Sequence, residues 1–154
     1  MRRLAAIVLG LLAPGMASCD GGDPPSRAEF AERANEICRE AKRSLRGLGK
    51  NADTPQAIAD AVDRVIAETQ GAVDELADLE RPEGDAGRKA ERFVDATRTE
   101  IEDQGIPVFE DIRDALGRGD RQAAQEAAEP LQAIDRTKSN RAARELGADA
   151  CAEE

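Results

Sequence analysis

The sequence predicts an all-α protein, an antiparallel up-down-up-down four-helix bundle occupying residues 26–154. Three observations lead there. Apolar residues recur in steps of three and four along four segments, the breaks between those segments are short, and no segment alternates apolar and polar residues as a strand does. A helical hairpin array, or a three-helix core with a loose fourth helix, also fits this pattern. With three Phe and no Trp or Tyr, the core is built from Ala, Val, Leu and Ile. Such helices approach closely, but each contact buries little area.

The first helix is expected from about Ser26 to Leu48. Ser26 and Glu29 have the spacing of a capping box, in which each side chain satisfies a free amide of the first turn. Phe30, Ala34, Ile37, Ala41, Leu45 and Leu48 form its apolar stripe, and Gly47 and Gly49 mark its end. The second opens with Thr54 as N-cap and Pro55 in the first turn, where the missing amide hydrogen costs nothing. "ERPEG" stops it at about Glu80. A third helix runs from about Asp85 to Leu116, with a kink or short break at Gly105 and Pro107, because proline removes an internal hydrogen bond. Asp120 caps the fourth, which reaches about Leu146 and bends at Pro130.

Ahead of this body stand Arg2 and Arg3, the apolar run "LAAIVLGLLA", and small residues leading to Cys19. That order is the charged, apolar and cleavage regions of an export signal, and the run is shorter than the roughly 20 residues that span a bilayer. Residues 1–18 therefore read as a removable leader. Ala17 and Ser18 before Cys19 resemble the lipobox of bacterial lipoproteins, in which the cysteine takes diacylglycerol and becomes the first mature residue; Met16 departs from the usual Leu three positions earlier. The alternative is cleavage after Ala17 and ordinary secretion. Residues 19–25 read as a flexible tether without apolar side chains to bury.

Three cysteines are an odd number for an exported chain. If Cys19 is lipidated, Cys38 and Cys151 remain, and an oxidising compartment lets them join; the other reading of Cys38 is a small buried apolar residue. Cys38 lies roughly 18 Å up the first helix, and a tail from Gly147 to Cys151 climbs roughly 13 to 16 Å. A disulfide is within reach.

The formal charge is −10, and removing the leader takes away two arginines and no acid. So acidic a chain has no general attraction for nucleic acid. The chain has no His, Tyr or Trp, and both Met residues lie in the leader. That composition argues against most haem and copper ligation and histidine general-base chemistry, so neither a cofactor nor a metal is expected.

Three features are candidates for a site. Glu100, Glu102, Asp103, Glu110, Asp111 and Asp114 are dense enough for a carboxylate cation site, but they lack the spacing of a calcium loop or a di-iron bundle, and a solvated, ion-paired helix face is the competing reading. Arg39, Arg43, Arg46 and Lys50 recur in steps of four, three and four. They read either as partners of acidic neighbours inside the bundle or as a docking face for an anionic partner or lipid headgroups. Charge is unevenly spread: residues 26–50 carry seven basic and four acidic side chains, residues 51–154 thirteen and 26. Finally, Thr69, Thr97 and Asn140 fall at a similar height and make a polar layer, which sets helix register or opens a ligand pocket.

With the Cys19 lipobox, "ANEIC" in the first helix, "GDRQAA" opening the last and "ARELGADAC" near the end, the chain resembles the small helical lipoproteins of high-GC Gram-positive bacteria. The resemblance implies a lipid-anchored protein on the outer face of the cell membrane and supplies no catalytic residue. The expected function is non-enzymatic binding or scaffolding of a cell-envelope component, with an envelope protein as partner. The alternatives are a bundle that binds a small ligand or a cation, and a hydrolase that works with paired carboxylates alone.

Overall fold

The computed structural model describes residues 23–152. The leader, Cys19 and the start of the tether lie outside the described residues, so the lipidation and export expectations do too.

The described chain is helical, with no strand among the described residues. Six α-helices follow in order: α1 Arg27–Leu45, α2 Pro55–Asp78, α3 Gly84–Arg98, α4 Ile106–Gly117, α5 Arg121–Ala128 and α6 Thr137–Leu146. A π-helical segment, Thr99–Gly105, joins α3 to α4, a 3-10 turn Glu129–Ala133 follows α5, and a second one, Asp149–Cys151, ends the fold.

The helix starts form as their capping residues dictate. The Glu29 amide donates to Ser26 Oγ at 3.2 Å and the Ser26 amide donates to Glu29 Oε2 at 2.7 Å, closing the capping box of α1. Thr54 Oγ1 accepts from Ala57 N–H at 3.1 Å, with Pro55 in the first turn of α2, and Asp120 Oδ1 accepts from Ala123 N–H at 3.0 Å at the start of α5.

Three boundaries differ from the sequence expectation. Helix α1 ends at Leu45, not Leu48, because Arg46 turns extended and Gly47 and Gly49 take φ of 101° and 78°. The chain then closes on itself through short bonds such as Lys50 N–H to Gly47 O, 3.2 Å. The break expected at Gly105 and Pro107 is a π-helix lying before the proline. Ile106 N–H reaches back five residues to Ile101 O, and the proline ring follows where an ordinary helical amide is missing. The last helix is two helices. Pro130 ends α5 in a 3-10 turn, Ile134 is extended, and Asp135 starts again by accepting from Thr137 N–H at 2.9 Å. The Thr137 hydroxyl, and then this amide, hold the Asp135 carboxyl below its usual range. The polar run "DRTKSN" is thus a second helix start.

In packing, α1 lies beside α2, α2 beside α4, α4 beside α5 and α3 beside α6, while the terminal turn closes on α1. Two apolar clusters result. One gathers Phe30, Leu76, Phe93, Val94 and Leu146 around fully buried Ala34, Ala90, Ala143 and Ala148. The other joins Ala59, Ala115, Leu116 and Ala124. The alanines let backbones come close, and the two phenylalanines, each 1% exposed, supply the largest single burials, of about 1.5–3 kcal/mol each.

Candidate functional site

A pocket of about 210 Å³ opens where α1, α2, the π segment and α6 converge. Helical spacing puts its walls together. On α2, Thr69, Ala72, Val73 and Leu76 share one face, and on α1, Cys38, Ala41, Lys42 and Leu45 share another. Along α2 the pocket lies between the two apolar clusters, since Ala59 belongs to one and Leu76 to the other. Thr97 of α3, with Glu100 and Ile101 of the π segment, forms the third wall, and Ser139 and Asn140 in the first turn of α6 form the fourth.

The expected polar layer of Thr69, Thr97 and Asn140 is therefore brought together, and its members line a pocket. Their hydroxyls differ in state. Thr69 Oγ1 donates to Val65 O at 2.7 Å, the local bond a helical threonine makes. Thr97 Oγ1 is buried and has no hydrogen-bond partner among the described residues. An unmet buried hydroxyl costs about 1–3 kcal/mol, and valine has the same shape without that cost.

Glu100, read from sequence as part of an acidic cluster, turns inward. The Ser139 hydroxyl donates to its Oε2, and Arg136 Nε lies 3.6 Å from its Oε1. Of its former companions, Glu102 pairs with Arg98 at 3.6 Å and Asp114 with Arg113 at 2.9 Å on the surface. Among the described residues no three Asp, Glu, His or Cys side chains gather as metal ligands would. Nothing in the composition singled Glu100 out. Its spacing of three from Thr97 places both on one face, and that was the available signal.

The wall nearest the C-terminus carries the cysteines. Cys38 and Cys151 sulfurs lie at disulfide distance, 2.08 Å apart, across a sequence separation of 113. The tail is aligned by Asn35, whose Nδ2 donates to Gly147 O at 3.0 Å while its Oδ1 accepts from Ala150 N–H at 2.7 Å. "ANEIC" and "GADAC" are thus two halves of one contact. Asn35 joins them across 112 to 115 residues, a separation at which no local spacing signals the contact.

Arg39, Arg43, Arg46 and Lys50 are all exposed. The early end of α1 splits the expected stripe: Arg39 and Arg43 stand one turn apart on the helix, Arg43 Nε donating to Arg39 O at 3.4 Å, while Arg46 caps it and Lys50 lies in the following turn. None of the four forms an ion pair among the described residues. The acidic neighbours that the sequence offered as partners inside the bundle do not pair with them.

A wider hollow of about 680 Å³ over α6, edged by Arg136, Arg141, Arg144 and Glu145, is a shallow surface groove. No helix among the described residues is long and apolar enough to cross a membrane. No family model, no curated protein and no solved structure matches the chain.

Proposed function

We propose that the mature chain begins at Cys19, carries lipid there, and acts as a non-enzymatic binding protein on the extracytoplasmic face of the cell membrane, as the resembling lipoproteins of high-GC Gram-positive bacteria are expected to do. Its body is an antiparallel four-arm bundle: α1, α2, the α3–α4 arm and the broken α5–α6 arm. The order of packing, with α1 beside α2, α2 beside α4, and α4 beside α5, supports that topology. Cys38 and Cys151 at disulfide distance support an oxidising compartment, and that pairing leaves Cys19 as the odd thiol for acylation. Among the described residues the pocket is lined by one carboxylate, Glu100, which favours binding over hydrolysis by paired acids.

The observation that carries the reading is the exposed cationic end of α1. Residues 39–50 carry five exposed cations, Arg39, Lys42, Arg43, Arg46 and Lys50, and one acid, Glu40, on a chain of net charge −10. Concentrated positive charge on an acidic protein is a steering surface for an anionic partner. The tether joins the opposite end of α1, and 19 helical residues extend about 28 Å. That placement favours an acidic protein surface over the headgroups of the anchoring membrane.

The test is crosslinking in intact cells with wild type and with Arg39→Gln, Arg43→Gln, Arg46→Gln and Lys50→Gln combined. A captured acidic envelope protein, lost in the variant while helicity and detergent partitioning stay unchanged, supports the proposal. Equal capture by both, or retention by anionic phosphatidylglycerol vesicles that the variant loses, overturns the protein-partner reading. Mature protein that begins elsewhere than Cys19, or that incorporates no labelled fatty acid, removes the anchor.

A further inference from the structure

Independently of the cationic surface, the pocket offers a specific chemistry. Its body is apolar: Val73, Leu76 and Ile101 face Ala41 and Leu45 across it. Its inward carboxylate is already matched, because Glu100 is held by Ser139 and Arg136; the other charge on its lining, Lys42, is exposed and donates to Ala152 O at 3.4 Å, so an ionic guest finds no unbalanced counter-charge deep inside. Among the described residues one buried side-chain polar atom is left without a hydrogen-bond partner, Thr97 Oγ1. The π-helical turn beside it places Glu100 and Ile101 in the same wall, and such segments recur where a helix is reshaped around a functional site.

We propose that this pocket binds a small neutral amphiphile: a compact apolar body bearing one hydrogen-bond acceptor, such as a ketone or ester carbonyl, which takes the proton of the Thr97 hydroxyl. The size fits. A cavity of roughly 150 Å³ accepts benzene, so 210 Å³ leaves room for a ring with a short polar substituent. A hydroxyl without a partner of its own is available to a guest, and an apolar pocket takes its specificity from few, well-placed polar atoms.

The test uses the full chain with Cys19→Ser, so that no acyl group competes, and three probes of similar shape: acetophenone, ethylbenzene and benzoate. Binding is read from the methyl resonances of Val73, Leu76 and Ile101. Acetophenone should shift these signals and bind about fivefold more tightly than ethylbenzene, the worth of roughly one net hydrogen bond. Thr97→Val, which keeps the side-chain volume and folds at least as stably, should bring the two affinities together while leaving ethylbenzene unchanged. No shift with acetophenone, a preference that survives Thr97→Val, or tightest binding by benzoate overturns the proposal.

Discussion

Asn35 accepts a hydrogen bond of 2.7 Å from the backbone amide of Ala150, the residue before Cys151. Asn35 stands three positions before Cys38 on α1, so the side chain that holds the tail and the side chain that bonds to it lie on one face. Its other polar atom donates to Gly147 O at 3.0 Å. Asn35→Ala removes both bonds and strands a partly buried amide and carbonyl, which should lower stability by about 2 kcal/mol. Asn35→Asp keeps the acceptor for Ala150 and loses the donor for Gly147, so it should recover part of that loss. Urea unfolding of the two variants checks this, and Asn35→Asp no better than alanine would show that the Ala150 bond contributes nothing.

Closure of Cys38 to Cys151 ties residues 113 apart. A loop of that length is worth up to about 4.7 kcal/mol through loss of unfolded-chain entropy, and an alanine-rich core has few large burials to replace it. Cys38→Ala with Cys151→Ala should therefore lower the unfolding midpoint markedly, with α2 and α4 still helical just below the midpoint because their contacts lie in the second cluster. Calorimetry and far-UV circular dichroism in the absence of reductant decide it; an unchanged midpoint excludes a stabilising cross-link.

Local chemistry was legible in the sequence wherever one residue acts on its own neighbours. Ser26, Glu29, Thr54 and Asp120 cap as their spacing requires, because a cap depends only on three or four residues of chain. The meeting of Thr69, Thr97 and Asn140 was legible too, from helix length alone. What stayed hidden depends on partners distant in sequence. Glu100 looks like any solvated acid until Ser139 and Arg136, on another arm, turn toward it. The division of the last arm was hidden for a different reason: Pro130 was visible, but a bend and a break have the same local signal, and the Asp135 to Thr137 restart sits inside a polar run without an apolar stripe.

Arg81 closes the C-terminus of α2. Its guanidinium donates to Ala77 O at 3.1 Å and to Leu76 O at 3.2 Å, with a further bond to Leu79 O, and lies 5.5 Å from the centroid of the Phe30 ring. Burial pushes its pKa below the usual arginine value, yet the group stays charged at any physiological pH. Arg81→Met preserves the aliphatic stem and removes the fork of donors, leaving three helix-end carbonyls poorly satisfied. It should cost about 1.5–3 kcal/mol, and Arg81→Lys should recover less than half, since one ammonium cannot span the same carbonyls. Chemical denaturation of both variants measures the difference.

Two glycines inside helices should respond in opposite directions. At Gly71 in α2 a methyl group meets nothing within 4 Å, so Gly71→Ala should gain up to about 1 kcal/mol from helix propensity. At Gly87 in α3 the added carbon runs into the Pro82 carbonyl oxygen, part of a backbone that cannot swing aside. Gly87→Ala should lose about 1–3 kcal/mol despite the same propensity gain. Thermal unfolding midpoints that move the same way for both would contradict the tight turn between α2 and α3.

Acid should weaken the fold through its helix starts. The Ser26 backbone amide, then its hydroxyl, hold the Glu29 carboxyl below its ordinary value of 4.5. Lys89 does the same for Asp85, and Thr137 for Asp135, both from an ordinary 3.8. Because the folded values are the lower ones, the unfolded chain takes up protons first as the pH drops, and protonation favours unfolding. These contributions are complete above the ordinary carboxylate values and are lost as the pH falls through the depressed folded ones. Urea midpoints should therefore hold level from neutral pH to about 5.5 and decline below about 4.5. Glu29→Gln retains an oxygen to accept the Ser26 amide hydrogen but has no proton to gain, so its decline should be shallower. A decline as steep as wild type would mean that the Glu29 carboxylate contributes nothing to the acid sensitivity, and that the box acts through its neutral hydrogen bonds alone.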